Sequence, residues 1–180
     1  MIFSKPYADR VARLRVPGGF LLVAAFLWFS QPTPLTLAVG LPVAMLGLAL
    51  RGWAAGHLEK DRELAQSGPY AWVRNPLYLG TLTTAAGFAI ASHRWELGVL
   101  FAAVFLLIYL PVVELEEQHL RRLFQNFGSY AERVPKLFPR LPRKKGTKHF
   151  RWGLYRHNRE YQALWGFLAG TAVLVWKALR

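Results

Sequence analysis

Three glutamates follow directly on a long apolar run in the second half of the chain. They are Glu114, Glu116 and Glu117, and the run before them ends at residue 113. Carboxylates at the end of an apolar helix are costly near membrane depth and indicate function by default. If the helix continues, Glu117 can pair with Arg121 at i, i+4. Glu116 has no basic residue at i+3 or i+4, so it is predicted to lack a local partner and to suit a cationic ligand. The simpler alternative is a solvated helix end with surface ion pairs.

A second polar stretch, residues 57–80, contains a strong signal for the start of a helix. Asn75 is followed by Pro76; Asn is a favoured N-cap, and Pro is favoured at the first helical position. A helix N-terminus attracts anionic groups, and Arg74 adds a positive charge beside it. The simpler alternative is a capped membrane helix with an interfacial arginine.

Metal and covalent chemistry find little support in the sequence. Glu116 and His119 form one E-x-x-H pair, but a di-iron site needs a second such pair and two further glutamates. The chain has no cysteine, which excludes disulfides, thiol catalysis and Cys-based metal sites. Neither a G-x-S-x-G motif nor a Gly-rich phosphate loop occurs. The sequence therefore predicts neither a metal site nor a catalytic triad.

The elements that position these residues are predicted to be membrane helices. The chain has 180 residues, is 53% hydrophobic, and collects its apolar residues in long blocks almost without charge. One helical crossing of a bilayer needs about 20 apolar residues, with a range of about 17–25. The predicted fold is all-α, a polytopic membrane helical bundle that forms a single domain over residues 1–180. About five transmembrane helices are predicted, at residues 17–31, 35–55, 76–92, 96–113 and 161–178.

Membrane orientation explains the net charge of +13. If the five blocks cross alternately, all of the 23 Lys and Arg except Arg94, Lys177 and Arg180 fall on one side. Basic loops of membrane proteins lie in the cytosol. The N-terminus and the polar segments 57–80 and 114–140 are therefore predicted to be cytosolic, where they can meet over one pocket. Nucleic-acid binding, which a basic surface can also indicate, is not predicted.

Three further features concern how the chain lies in the membrane. A basic stretch precedes the first apolar block without an A-x-A-like cleavage site, so that block is predicted to be a retained span. Residues 135–148 are rich in Pro and Lys and predict an extended linker along the membrane surface. The basic residues 140–159 favour contact with anionic lipid headgroups. In a bacterium, the membrane would be the cell inner membrane.

Two motifs flank the second predicted helical hairpin. The first is LAQSGPYAWVRNPLYLG over residues 64–80, and the second is EEQHL at 116–120 followed by FGSYAERVP at 127–135. They resemble the G-x-Y-x-x-x-R-H-P-x-Y-x-G and E-E-x-x-L…F-G-x-x-Y-x-x-x-V-P motifs of the membrane methyltransferase superfamily. That superfamily includes isoprenylcysteine carboxyl methyltransferases and phospholipid methyltransferases. The resemblance spans residues 50–140 and implies a helical membrane enzyme that uses S-adenosylmethionine.

The resemblance also implies which residues bind the cofactor in a cytosol-facing pocket. They lie before the turn, around the helix start and at the glutamate pair, and we add the neighbouring Arg74 and Glu117. The predicted cofactor-binding set is Arg62, Glu63, Leu64, Ala65, Tyr70, Arg74, Asn75, Pro76, Leu77, Tyr78, Glu116 and Glu117. On chemical grounds, the helix N-terminus beside Arg74 suits the carboxylate of S-adenosylmethionine. Glu116 suits its cationic group or its ribose diol.

Two departures from the family motifs concern the methyl acceptor. Asn75 replaces a histidine, and Asn cannot take a proton near neutral pH. Val112 replaces an arginine that the isoprenylcysteine enzymes use for the substrate carboxylate. The acceptor is therefore predicted only as lipophilic or small: a phospholipid amine, a lipidic carboxylate or a small thiol. No catalytic residue is assigned.

Two other functions remain open from the sequence. Sterol reductases are similar in the R-H-x-x-Y-x-G region but bind a nicotinamide cofactor. A non-enzymatic scaffold would instead bind anionic lipid through its basic linker, with residues 143–145 as the sensitive point. Cofactor binding distinguishes the three possibilities.

Overall fold

The structure, a computed structural model, describes residues 3–141 and 148–180. Over these residues it is helical, with no strand, as the sequence predicts. A short 3₁₀ turn (Gly68–Ala71) precedes α3, and a π-helical segment (Phe105–Tyr109) joins α4 to α5. The α-helices are α1 (Lys5–Phe29), α2 (Pro34–Ala55), α3 (Pro76–Ala91), α4 (Trp95–Val104), α5 (Leu110–Leu123), α6 (Phe127–Arg133), α7 (Trp152–His157) and α8 (Tyr161–Ala178).

Length and composition support two or three of the five predicted spans. Pro34–Ala55 and the continuous helix Trp95–Leu123 are each long and apolar enough to cross a membrane. Helix α1 adds a third if its two parts, bent by 51°, count as one span. Helix α3 is apolar but has 16 residues, about 24 Å at about 1.5 Å per residue, less than a hydrocarbon core of about 30 Å. Crossing by α3 and α8 stays a prediction, as does the orientation of the termini.

Helix α1 begins earlier than the predicted first span. It starts at Lys5, within the stretch predicted as a basic arm, and contains Pro17. Proline inside a helix removes a backbone hydrogen bond and crowds the preceding turn. The segment Val16–Phe29 is bent by 51° from Lys5–Leu14. The predicted span 17–31 thus corresponds to the part of α1 after the bend.

The π-helical segment lies where α4 passes into α5. The amide of Leu110 donates to the carbonyl of Phe105, five residues earlier. In a regular helix the Leu107 carbonyl would accept from residue 111, but Pro111 has no N–H. The hydroxyl of Tyr7 on α1 donates to this carbonyl instead, at 2.8 Å. This contact satisfies a backbone group that apolar surroundings would leave unpaired, and it fastens α1 to the segment that carries Tyr109.

Helices α2 and α3 touch backbone to backbone along a row of small residues. A Cβ placed on Gly87 would lie 2.2 Å from the Ala44 nitrogen, and one on Gly47 would lie 2.4 Å from the Thr84 nitrogen. The Thr84 hydroxyl also donates to the carbonyls of Gly80, at 2.8 Å, and Ala44, at 3.3 Å. Small residues allow such close approach of membrane helices, whose association gains little from the hydrophobic effect. The packing holds the C-terminal end of α2 beside the start of α3.

Large apolar side chains cover the outer faces of the helices. On α1, Phe20 is 73% exposed and Trp28 is 81% exposed. Leu46 on α2 is 69% exposed, and Trp165 on α8 is 66% exposed. An exposed apolar surface of this extent marks contact with lipid or protein. It agrees with a membrane environment.

The predicted extended linker lies partly outside the described residues, because residues 142–147 are not among them. Residues 135–141 contain no helix. The Pro135 carbonyl accepts from the Arg74 amide at 2.9 Å, and the Arg140 amide donates to the Trp72 carbonyl at 3.0 Å. The segment therefore packs on the turn before α3. Contact of residues 135–148 with a membrane surface stays a prediction.

We expect Gly87→Val to disrupt the contact between α2 and α3. The valine side chain has no space beside the Ala44 backbone, so the substitution should cost about 3 kcal/mol of folding free energy, the upper range for overpacking. Thermal unfolding in detergent micelles measures the loss. Gly166→Val is the matched control, since no heavy atom lies within 4 Å of a Cβ at Gly166. Equal stability of the two variants would contradict the proposed packing.

Candidate active site

The carboxylate of Glu117 on α5 joins the two polar segments. Its Oε1 accepts from Arg74 Nε and from Asn75 Nδ2, both at 3.0 Å, and Arg74 Nη2 lies 3.4 Å from Oε2. Lys136 Nζ lies 3.5 Å from Oε2. The side chains of Arg74 and Glu117 are 13% and 12% exposed. Glu117 thus pairs across the fold, and the predicted pairing with Arg121 is wrong, since Arg121 lies over the Phe127 ring instead.

Arg74 uses its remaining donors on backbone carbonyls. Nη1 donates to the carbonyls of Ala131, at 2.5 Å, and Val134, at 3.1 Å. With Glu117 on its other edge, the guanidinium ties α6 and the residues after it to the start of α3. Sequence analysis predicted Arg74 as a positive charge available to a ligand. In the structure, Glu117 already balances the charge of Arg74, because the two groups form a bidentate pair.

Asn75 precedes α3 as predicted, and the helix begins at Pro76. Its side chain, however, makes no capping hydrogen bond. Asn75 Nδ2 donates to Glu117 at 3.0 Å and to the Lys136 carbonyl at 3.3 Å. The amide therefore binds across the site, and the first-turn N–H groups of α3 receive no side-chain cap from it.

Glu116 has a partner that its own helix does not supply. The hydroxyl of Tyr78, in the first turn of α3, donates to Glu116 Oε1 at 2.9 Å. This contact is consistent with the expectation that Glu116 has no basic partner one turn along its own helix, because Tyr78 lies on another helix. Both side chains line the same cavity, so this hydrogen bond holds the Glu116 carboxylate at the cavity wall.

A cavity of about 380 Å³ lies between the two polar segments. Every residue of the predicted cofactor-binding set except Arg62 lines it. The side chain of Arg62 is 82% exposed and faces Glu59 at 3.9 Å, so the structure places it outside the cavity. The further lining residues are Arg51, Leu58, Lys60, Asp61, Thr81, Tyr109, His119, Leu120, Phe127 and Tyr130.

One wall of the cavity, formed by α6 and by residues 64–70 before α3, is apolar and buried and contains aromatic side chains. Leu64, Phe127, Tyr130 and Val134 form one hydrophobic cluster, and the Tyr130 hydroxyl donates to the Tyr70 carbonyl at 2.8 Å. Burial raises the pKa of both tyrosines well above the ordinary value. The phenols therefore stay protonated at neutral pH, and neither is a general base.

Some lining residues escaped the sequence analysis. Arg51 lies near the end of the α2 apolar block, where its Nε and Nη2 bind Glu160 at 2.5 and 3.1 Å. Its Nη1 also contacts the Thr81 hydroxyl. An isolated arginine at the end of an apolar block was the available signal. Tyr109 lies in an apolar run of the sequence, so nothing marked it as a site residue. Its position depends on the π-helical segment, which the sequence pattern did not indicate.

Comparison with known proteins agrees with this geometry. The phospholipid methyltransferase family profile matches residues 43–126. The nickel-cobalt-cadmium resistance protein NccN of Alcaligenes xylosoxydans xylosoxydans is 31% identical over 92% of this chain and 81% of its own length. The cobalt-zinc-cadmium resistance protein CzcN of Cupriavidus metallidurans is 33% identical, over 76% and 67%. The chain belongs to the phospholipid methyltransferase family.

A more distant relative supports the same membership. Protein-S-isoprenylcysteine O-methyltransferase of Schizosaccharomyces pombe is 26% identical over 77% of this chain and 61% of its own length. No solved structure matches the chain. The segment matched to the phospholipid methyltransferase family contains the Tyr78–Glu116 and Arg74–Glu117 contacts. The chain accordingly carries a membrane methyltransferase domain of this family.

We expect the Arg74–Glu117 pair to contribute strongly to stability. Removing one member of a low-exposure ion pair leaves the other charge uncompensated, so Arg74→Met and Glu117→Leu should each cost about 3 kcal/mol. The double variant should recover about 1–2 kcal/mol of the summed loss. Unfolding in detergent, followed by circular dichroism, measures this cycle.

The exposed pair Arg94–Glu96, at 3.9 Å, is the matched control. Arg94→Met and Glu96→Leu should each change stability by less than about 1 kcal/mol, because water screens an exposed pair. Additive losses for Arg74 and Glu117, without coupling, would contradict the assigned contact.

Proposed function

We propose that this methyltransferase carries a methyl group from S-adenosylmethionine to a lipophilic acceptor, with the donor in the 380 Å³ cavity. The supporting observation is that one cavity collects the motif residues of both polar segments. Its volume falls within the range of about 300–1,000 Å³ typical of small-molecule sites. The predicted cytosolic position of the cavity forms part of this proposal.

The chemistry of the lining residues fits the donor. The N-terminal turn of α3 borders the cavity at Leu77, and a helix N-terminus suits a carboxylate. Glu116, oriented by Tyr78, suits a cationic group or a ribose diol. The aromatic wall at Phe127 suits a flat base. Arg74 contributes by positioning.

S-adenosylmethionine supplies an activated methyl group on a sulfonium, so methyl transfer needs no protein nucleophile. The acceptor's lone pair forms the new bond to carbon, and the broken S–CH₃ bond leaves its electron pair on sulfur. A neutral amine or thiol acceptor also loses a proton to solvent, whereas a carboxylate does not. The residues of the chain act by holding the two groups in line, and orientation can supply about 7–11 kcal/mol of the barrier.

A second, apolar cavity supports a lipophilic acceptor. It has a volume of about 640 Å³ and lies between α1, α3, α4 and α8. Tyr109 lines both this cavity and the 380 Å³ cavity. The Tyr109 ring is stacked on Phe105 at 6.1 Å and meets the Tyr78 ring edge-on at 6.4 Å. We propose that the apolar part of the acceptor occupies the larger cavity and that its reactive group reaches the donor beside Tyr109.

The names of the bacterial relatives refer to metal resistance. Among the described residues, no group of three or more His, Asp or Glu lies close enough to hold an ion. Incubation of the purified protein with labelled S-adenosylmethionine and a membrane lipid extract tests the reaction. The labelled product distinguishes amine, carboxylate and thiol acceptors.

We expect Glu116→Gln to weaken binding of S-adenosylmethionine at least tenfold, about 1.4 kcal/mol. The substitution keeps the size of the side chain and removes the charge that faces the cavity. Isothermal titration in detergent measures affinity, and Glu132→Gln on the exposed face of α6 is the control. Unchanged affinity in Glu116→Gln would overturn the assignment. Binding of a nicotinamide cofactor in place of S-adenosylmethionine would favour the reductase.

We expect Gly166→Phe to block acceptor entry. Gly166 lines the apolar cavity, and no heavy atom lies within 4 Å of a Cβ there, so the ring can fill the space without a clash. Transfer to lipid should fall at least about tenfold, because the acceptor's apolar part loses its site. Affinity for S-adenosylmethionine should stay unchanged. Ala172→Phe, on an exposed position of α8 outside the cavity lining, is the control, and equal transfer by both variants would refute the acceptor path.

A further inference from the structure

The loop between α2 and the 3₁₀ turn, residues 57–67, forms one wall of the 380 Å³ cavity. We call it the donor loop. Its lining residues are Leu58, Lys60, Asp61, Glu63, Leu64 and Ala65. The donor loop contains no helix or strand, and Asp61 has a φ of 58°, a conformation that a side chain makes unfavourable. A loop of this kind needs outside contacts to hold its lining residues in place.

Residues 148–160, at the opposite end of the chain's sequence, supply such contacts. We call them the clasp. Asn158 Nδ2 donates to the carbonyls of Ala55 and Leu58, both at 2.9 Å. The Arg151 amide donates to the Gly56 carbonyl at 2.9 Å. Carbonyls at the C-terminal end of a helix lack intrahelical donors, so the clasp caps α2 where the donor loop begins.

An aromatic contact supports the same junction. The Phe150 ring packs on Gly56 so closely that a Cβ on this glycine would lie 2.2 Å from it. The His57 ring meets Phe150 edge-on at 6.4 Å. Any larger residue at position 56 would displace the ring. The exit of the chain from α2 is therefore shaped to the clasp.

Charged contacts fasten the clasp on both sides of this junction. Glu160 Oε1 accepts from Arg51 Nε at 2.5 Å, and Glu160 is buried. Because Arg51 lines the donor cavity, this pair connects the clasp directly to the cavity wall. Arg151 Nη1 donates to Glu59 at 3.2 Å, an exposed pair of small energetic weight.

The clasp and the donor loop touch through separate contacts and do not form one continuous packed interface. A smaller cavity of about 190 Å³ lies between the two segments, lined by Gln66 and Ser67 of the loop and by His149 and Leu154 of the clasp. A continuous packed interface would resist single substitutions. Here one substitution at Asn158 removes both of its hydrogen bonds, which share the Nδ2 donor, so their joint effect on the loop is measurable.

We propose that the clasp is a positioning element of the donor site and that Asn158 is its principal residue. The proposal rests on the proposed function, since it assigns the donor to the cavity that the donor loop lines. The clasp lies outside residues 43–126, which match the family profile. It fixes the donor loop in the conformation that binds the donor, without contacting the donor.

The test is Asn158→Ala, with Gln162→Ala as the control on an exposed amide nearby. Without the Asn158 amide, the Leu58 carbonyl loses this donor and the Ala55 carbonyl keeps only the Leu58 N–H at 3.4 Å, so the loop opens more often. Hydrogen–deuterium exchange in residues 57–67 should rise about tenfold. If the binding-competent fraction falls to about one tenth, the KM for S-adenosylmethionine rises about tenfold, whereas kcat at saturation changes less than about twofold. Asn158→Gln, which keeps the amide, should restore part of the affinity.

The outcomes separate the clasp from the proposed function. Methyl transfer into a membrane lipid extract reports KM and kcat, and titration with S-adenosylhomocysteine reports binding alone. Wild-type protein that binds neither cofactor nor product overturns the proposed function and this inference with it. Wild-type binding combined with an unchanged KM in Asn158→Ala overturns the clasp alone, as does a fall in kcat at unchanged KM. If Asn158→Ala does not fold, Phe150→Leu loosens the same junction and should show the same rise in KM.

Discussion

The contact of Glu117 with Arg74 and Asn75 is the constraint on which the cavity depends. One carboxylate on α5 accepts from two consecutive residues before α3 and lies beside Lys136. Arg74 then reaches the carbonyls after α6. Because these groups are largely withdrawn from water, their attraction is screened much less than that of surface charges. The three segments that enclose the cavity are thereby held in one arrangement at the edge of the apolar region.

In the apolar region, helices α2 and α3 are held together by a different kind of contact. The small residues of α2 and α3 bring two backbones into contact, which sets the end of α2 beside the start of α3. Arg51 and Leu77 are neighbours for this reason, with Arg51 Nη1 at 3.4 Å from the Leu77 carbonyl. Close helix contact in the apolar region and buried ion pairs at its edge therefore support each other. Neither would position both cavity walls alone.

Local features of the sequence predicted much of the fold and less of the site. Asn75–Pro76 located the start of α3, and the apolar blocks located α2 and α3 within a few residues, because caps and apolar lengths act along one segment. The partners of Glu117 and Glu116 lie 43 and 38 residues away. The i, i+4 rule considers only residues of the same helix, so it predicted Arg121 as the partner of Glu117. Arg62 lies outside the cavity lining, exposed beside Glu59, and its assignment to the cofactor stays a prediction from the resemblance.

The charge balance of the cavity has a consequence for selectivity. Arg74 and Arg51 both line it, and each is bound by a carboxylate, Glu117 or Glu160. An anionic acceptor that recruited Arg51 or Arg74 would break that pair and weaken the compensation of a largely buried glutamate, at a cost of several kcal/mol, whereas Lys60, which also lines the cavity, is exposed. Val112, where the isoprenylcysteine enzymes carry an arginine, adds no positive charge. Under the proposed function, the two paired arginines are therefore poor sites for an acceptor carboxylate. Recognition then depends on the apolar part of the acceptor and on Tyr109, where the apolar cavity meets the polar one.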